Sequence, residues 1–367
     1  MKPDSQASPP PVRACIVATH FAEYSLRLAT AFAAEGETLL ICAKPNFSRE
    51  VVSSMYDGAP ERLHLRVFNN GRKFEALYFL LRTLVSVLLF RPTFIVAHEM
   101  GDWNHTAAIA LLSRIFRVAL VVHDPRPHLG ADAAVRARAG KNIAIERRAA
   151  AALIVHGAYC ARQLVEETAL AHRALIVIGH GPILGDVGAP ARAPHDILFF
   201  GRMQAYKGLG VLRQALEILD ERGSTPKTIL AGKGPALEDE RSGLSRLTHV
   251  EIRERFLSPE EAGGLLRGAR VVVVPYLEAT QSGVVAAAFA AGRPVVASAV
   301  GSIPEVVEPG VNGLLVPAGD PAALAEALSS VLGDADLEAR LAEGARATSR
   351  DISWAKVAGE IRTGVLA

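Results

Sequence analysis

Short apolar, β-branched runs alternate with helical stretches along the whole chain. RACIVAT, TLLICA, LHLRVF, FIVAHE, ALVVHD, ALIVHG and ALIVIGH mark the first half, and ILFFG, TILAG, VEIRERF, RVVVVP, PVVAS and GLLVP follow after residue 195. A strand that is apolar on both sides needs cover on both faces, which helices flanking a parallel sheet provide. The expected fold class is α/β, with two Rossmann-like doubly wound domains facing an interdomain cleft. A length of 367 residues fits two domains of ordinary size. Between the two series lies ILGDVGAPARAPHD, which is rich in Gly, Pro and Ala and reads as a linker. The predicted divisions are a disordered tail over 1–10, an amino-terminal Rossmann-like domain over 11–185, a carboxyl-terminal Rossmann-like domain over 186–350 and a final helix over 351–367. Ser258-Pro259-Glu260-Glu261 predicts a capped helix start, as does Asp320-Pro321. No repeat of 20–50 residues points to a solenoid.

Composition narrows the partners. The net charge is +2, but residues 1–190 hold 21 Lys and Arg against 16 Asp and Glu, which makes the amino half basic. An asymmetry of that size suits an anionic substrate or a lipid surface and falls short of a nucleic-acid footprint. No nucleic-acid partner is expected, and peripheral contact with an inner membrane face ranks above it. Cys15, Cys42 and Cys160 are odd in number, far apart and set in apolar runs, which predicts buried thiols in a reducing cytoplasm. The amino terminus shows no signal-peptide core. Residues 76–90, ALYFLLRTLVSVLLF, are too short to span a bilayer and contain Arg82. A buried core helix is the preferred reading, ahead of a helix lying on a membrane face.

Two stretches carry the chemistry. In FFGRMQAYKGLGVLRQAL a strand runs into a loop with Gly201, Arg202, Lys207 and Gly208 and then into a helix. A guanidinium and an ammonium beside a helix start form a diphosphate site, although lone cations are more often solvated. In VVVVPYLEATQSGVVAAAFAAGRPVVAS a strand delivers Tyr276 and Glu278 to a loop. Thr280, Gln281, Ser282, Gly283 and Val284 then open a helix of small residues. Backbone N–H groups at such a start can meet a phosphate, and Gly283 permits close approach. The Ala-rich helix body reads as sheet packing.

From about residue 195 onward the chain resembles glycosyltransferase family 4, retaining enzymes of the GT-B fold. The resemblance rests on Gly201-Arg202, Tyr206-Lys207-Gly208, the LAGKGP turn at 230–235, the block from Pro275 to Glu305 and the helix around Trp354. It implies transfer of a hexose from a UDP- or GDP-linked donor to an acceptor hydroxyl, in polysaccharide or glycolipid biosynthesis. It also implies that Arg202 and Lys207 hold the donor diphosphate and that Arg255, Phe256 and Leu257 touch the base. By the same resemblance 11–185 is the acceptor-side domain, 186–350 the nucleotide-sugar-binding domain, and the helix over 351–367 crosses back to the first. The family commonly pairs two Glu residues eight apart, but counting on from Glu278 reaches Ala286. Alignment on Gly292-Arg293-Pro294 puts Ala279 and Ala287 at the two places, so ribose contacts must come from elsewhere. The ATQSGV variant resembles a bacterial subgroup that builds polysaccharides and lipid-linked sugars.

In the amino domain, His123-Asp124-Pro125-Arg126-Pro127-His128 follows an apolar strand and resembles that subgroup's His-Asp-Pro element. His123 and Asp124 are the expected catalytic pair, with an imidazole able to bond a sugar hydroxyl, although a plain Asp-Pro turn is as good an account of Asp124. Glu99 and Asp102 read as a solvated loop, and His156 and His180 as structural or peripheral. No cofactor beyond the donor is expected and no metal ligand set is visible, since two side-chain cations can neutralise the diphosphate. The expected partners are a nucleotide sugar and a sugar or lipid-linked acceptor. The rival readings are an epimerase-like enzyme on the same fold and a non-catalytic nucleotide-sugar-binding subunit.

Overall fold

The computed structural model describes residues 12–44, 47, 60–71, 73–126, 131–167, 174–182, 184 and 194–367, excluding the side chains of 131–138. The expected tail over 1–10, most of the linker and the boundary at 185 lie outside the described residues. The first unit runs β1 (Ala14–Ala18), α1 (Ala22–Glu35), β2 (Thr38–Lys44), β3 (Leu63–Asn69), α2 (Phe74–Phe90), β4 (Phe94–His98) and α3 (Trp103–Leu112). It continues with β5 (Arg117–Val122), α4 (Ala131–Ala149), β6 (Ala152–His156), α5 (Gly157–Glu167) and β7 (Ala174–Ile178). The second runs β8 (His195–Phe200), α6 (Leu209–Glu221), β9 (Thr228–Ala231), α7 (Pro235–Leu244), β10 (Val250–Arg253), α8 (Pro259–Arg267) and β11 (Ala269–Val274). It ends with α9 (Gly283–Ala290), β12 (Val295–Ser298), β13 (Gly313–Val316), α10 (Pro321–Gly333), α11 (Ala335–Asp351) and α12 (Trp354–Leu366).

Both sheets are wholly parallel, ordered β3-β2-β1-β4-β5-β6-β7 and β10-β9-β8-β11-β12-β13. Successive side chains of a strand point to opposite faces, so each sheet feeds two cores. Ala14, Ile16 and Ala18 pack on the α1 side, while Cys15 and Val17 face α2 and α3. In the second sheet Leu198, Val272 and Val274 enter one core and Ile197, Phe199, Val271 and Val273 the other. All three thiols are buried and unpaired. The strand order reverses beside β1 in one sheet and beside β8 in the other, and open α/β sheets bind ligands at such switch points. The loops after β1, β4, β8 and β11 therefore border the expected cleft.

Local chemistry at helix starts matches the sequence. Ser258 and Glu261 form the full capping box of α8, and the Asp320 side chain accepts from Ala323 N–H at α10. The helix α12 returns to the first unit, where Val357, Ala358, Ile361 and Val365 join the core formed by α1 and β7. The Trp354 indole N–H donates to the Pro182 carbonyl at 2.8 Å.

Two expectations are corrected. The helix α2 is only half buried: Ala76, Phe79, Leu80, Thr83 and Val87 face inward, whereas Phe74 is 84% and Leu89 79% exposed. With 3.6 residues per turn and one sheet face to cover, an all-apolar helix must turn its remaining side outward. Glu99 is not on a solvated loop. Its carboxylate is bonded twice by the Arg147 guanidinium, at 2.5 and 3.0 Å, with the two side chains 3% and 7% exposed. The register of β4 delivers Glu99 inward at the point where α4 ends.

The crossing helix should be part of the amino-terminal core. Replacing Ile361, which is fully buried, with Ala is expected to destabilise the fold by about 2–5 kcal/mol in urea titrations. A change under about 0.5 kcal/mol would mean that α12 is only loosely applied.

Candidate functional site

The glycines of the second unit first bring three loops together. Gly208 has φ +69°, and a Cβ there would sit 1.9 Å from the Pro275 carbonyl oxygen; at Gly232, with φ +144°, it would sit 1.9 Å from that of Gly201. Only backbone without a side chain can approach so closely. The loop after β8 is thus pressed against the loops after β9 and β11, and its cations are fixed beside the start of α9. Lys207 is 9% exposed; its ammonium donates to the Tyr276 hydroxyl at 2.7 Å and lies 4.4 Å from that ring's centroid. Ser282 caps α9 by accepting from Val285 N–H.

Across the gap stand the strand ends of the first sheet. A cavity of about 330 Å³ between the units is lined by Gly201, Arg202, Lys207, Thr280, Gln281, Ser282, Gly283 and Val284 from one side and by Phe21, Tyr24, His123, Asp124 and His180 from the other. The Thr280 hydroxyl donates to the Asp124 carboxylate directly across the cleft. A second clasp is made by Glu305, whose two oxygens accept from the Ala158 and Tyr159 N–H groups at 2.6 Å each, at the start of α5. Ser302 Oγ donates to the His156 carbonyl at 3.2 Å. A larger cavity of about 850 Å³ lies behind, lined in part by His156, Gln281, Ser282, Glu305 and Lys356, and it excludes Arg202 and Lys207. The smaller cavity is where Arg202 and Lys207 face His123 and Asp124.

Not every expected site residue joins it. Arg255, Phe256 and Leu257 follow β10, two strands from β8, and do not line this cavity; Arg255 pairs with Glu261 at 2.7 Å and Phe256 is 79% exposed. Glu278 lines a neighbouring recess with Arg126 and Tyr159. Ala287 is fully buried in the core beside β11, so the position aligned with the family's second Glu is occupied by packing. Pro127 and His128 lie outside the described residues.

Sequence reading missed an imidazole cluster. His98 ends β4, His123 follows β5, His156 ends β6 and His180 follows β7, so neighbouring parallel strands place all four side by side. Tyr24 stands edge-on to all four, at centroid distances of 5.1–5.6 Å. Phe21 stacks on His123 at 3.9 Å and holds a left-handed φ of 58°, a strained conformation for a bulky residue. His180, expected to be peripheral, lines the cleft. His156 and His180 bond the Gly179 and Gly181 carbonyls through Nδ1, at 3.3 and 2.7 Å. Among the described residues, His123, His156 and His180 each bring a ring nitrogen within 4.8 Å of the others, a grouping open to a metal ion. The only advance sign was that each His follows an apolar run.

A buried carboxylate braces this edge. Glu146 accepts from Thr106 Oγ at 2.7 Å and from the Met100 and Gly101 N–H groups at 3.0 and 3.1 Å, with His105 Nδ1 at 3.3 Å. Burial pushes its pKa up, but these bonds outweigh it and hold the group below the usual range. Arg147 also reaches the Pro125 carbonyl, at 3.4 Å, which ties the His-Asp-Pro turn to the same network.

Similarity to known proteins fits this layout. Residues 194–334 match the family described as Glycosyl transferases group 1. D-inositol 3-phosphate glycosyltransferase of Xylanimonas cellulosilytica is 41% identical over 178 residues, covering 47% of this chain and 42% of that protein. Its counterpart in Corynebacterium efficiens is 34% identical over 184 residues, covering 48% and 43%. The chain thus spans about half the length of the curated relatives it matches. Among solved structures, the Anabaena protein HepE in complex with UDP and glucose superposes with a TM-score of 0.72 at 19% identity, over 97% of this chain and 99% of that one. Sucrose-phosphate synthase from Thermosynechococcus elongatus gives 0.73 at 19% identity, over 96% and 98%. The chain has the GT-B fold. In this GT-B molecule the matched family region spans the second unit as far as α10, and the imidazole cluster falls outside it.

Burial lowers the pKa of His98 to about 3 and that of His180 to about 4, and holds His156 well below its ordinary value. The unfolded chain, with imidazoles near pKa 6.5, binds more protons below that pH than the folded one. Stability is therefore expected to fall as pH drops from about 6.5 towards 4, by about 1.4 kcal/mol per pH unit for each imidazole. Urea midpoints at pH 7, 6 and 5 check this, and a flat profile would contradict it.

Proposed function

We propose that the protein is a retaining glycosyltransferase that moves a hexose from a UDP- or GDP-linked donor to an acceptor hydroxyl, in polysaccharide or glycolipid assembly. One observation carries this reading: Arg202, Lys207 and the start of α9 share a cavity with His123 and Asp124 of the opposite domain. The family match over residues 194–334, the relatives' names and the UDP complex of a GT-B neighbour support it.

The donor diphosphate lies between Arg202, Lys207 and the first amides of α9. As the bond from the anomeric carbon to the diphosphate breaks, negative charge grows on the leaving oxygen, and the two fixed cations stabilise it. The acceptor oxygen attacks from the same face, and its proton passes to that departing phosphate oxygen. Tyr276 keeps the Lys207 ammonium aimed at this point, and the Thr280 to Asp124 bond holds the two domains together. His123 bonds a sugar hydroxyl from the acceptor side. Because two side-chain cations meet the diphosphate, the donor needs no divalent ion.

Peripheral attachment to an anionic membrane belongs to the same reading. The outer face of α2 carries Phe74, Leu77, Tyr78, Leu81, Leu88 and Leu89, and Arg13, Arg66 and Arg82 border it. Among the described residues no helix is long and apolar enough to cross a membrane. An amphipathic helix of this kind lies in the interface, with basic groups towards the lipid headgroups.

Lys207→Ala is expected to lower turnover by about ten- to a hundredfold, the equivalent of a charge-assisted contact of roughly 1.5–3 kcal/mol. Full activity in that variant would remove the diphosphate assignment. Turnover should be unchanged in EDTA; a loss that Zn2+ restores would place a metal in the imidazole cluster. Flotation with phosphatidylglycerol liposomes should retain the native chain and lose a Leu81→Glu, Leu89→Glu double variant, both sites being exposed.

A further inference from the structure

Resting on the reading above, in which His123 meets a sugar hydroxyl, we infer that His98, itself anchored by Ser25, positions His123 by fixing which of its ring nitrogens carries the proton.

The chain of hydrogen bonds admits one order of donors. Ser25 Oγ lies 2.8 Å from the Phe21 carbonyl oxygen, which can only accept, so the single hydroxyl hydrogen is committed there. His98 Nε2 lies 2.9 Å from the same hydroxyl, whose oxygen must then accept; the hydrogen is on Nε2 of His98. His98 is fully buried between that hydroxyl and a second imidazole, where a positive charge would be costly, so the ring is singly protonated and its Nδ1 is bare. That bare nitrogen lies 2.9 Å from Nε2 of His123. Only an N–H can face a lone pair at that distance, so His123 is protonated on Nε2 and carries its lone pair on Nδ1.

The surroundings hold both rings in this register. The two imidazoles are nearly parallel, at 7°, while Phe21 stacks on His123 and Tyr24 stands edge-on to both. Phe21 keeps its left-handed backbone while its carbonyl accepts from both Ser25 N–H, at 2.9 Å, and Ser25 Oγ. Strain at Phe21, the Ser25 anchor and the ring stack thus serve one arrangement. The orienting group is a neutral imidazole, not a carboxylate, so it stabilises an imidazolium weakly. His123 then works as a fixed hydrogen-bond acceptor for a substrate hydroxyl instead of as a strong base. Asp124, next in the chain, accepts from Thr280 across the cleft.

The test is ring 15N NMR of the histidine-labelled full chain, paired with steady-state kinetics. The native spectrum should show His123 protonated on Nε2 and bare on Nδ1. His98→Leu should give averaged ring shifts at His123 and a kcat about tenfold or more lower, with the donor KM and the donor-induced rise in Tm unchanged. His98→Asn, whose side-chain oxygen can take the place of Nδ1, should restore the native tautomer and most of the rate. If His98→Leu does not fold, Ser25→Ala replaces it: losing the acceptor for His98 Nε2–H should shift the His123 ring in the same direction. Native His123 protonated on Nδ1, or folded His98 and Ser25 variants with native shifts and kcat, would overturn the inference. Should the native chain transfer no sugar from any nucleotide donor, the transferase reading falls, while the ring shifts still decide the tautomer.

Discussion

All strands of a parallel sheet end on the same side, and here two such sheets turn those ends towards one gap. Each strand end frees backbone groups and delivers a side chain at its exit, so polar chemistry accumulates in the gap. Lys207, Tyr276 and Thr280 arrive from one sheet, and His98, His123 and His180 arrive from the other. The domains meet through Thr280 and Asp124, and through Glu305 and the first amides of α5, so closure itself depends on groups at these exits.

Two ways of handling buried polarity coexist there. On the carboxyl-terminal side the Lys207 ammonium rests against a phenolic oxygen and a ring face. On the amino-terminal side burial disfavours charge on the imidazoles, which interact through hydrogen bonds. A charged diphosphate and an uncharged sugar hydroxyl would be sorted to opposite walls by this difference alone. The buried Glu146 and the Glu99–Arg147 pair sit one layer further in, where each fixes a loop that the imidazoles depend on.

Much of the cationic wall was legible in the sequence because its residues are close together in the chain. Gly201 to Gly208 and Thr280 to Val284 each lie within one strand-loop-helix turn, where local order places side chains predictably. The imidazole wall was not legible. His98, His123, His156 and His180 are neighbours only because β4 to β7 lie in register, and a lone His after an apolar run carries no sign of its partner. The outward face of α2 was missed for a related reason, since an apolar helix looks the same from either side until a sheet claims one of them.

The sequence by itself determined the two parallel sheets, the capped helices and the cationic loop, because strand periodicity, caps and glycine turns are set over a few residues. Only the tertiary structure decided which strand ends became neighbours, that Glu99 would be paired and buried, and that the position aligned with the family's second carboxylate would be a packed alanine. Those outcomes depend on distances between segments far apart in the chain, and no local preference encodes them.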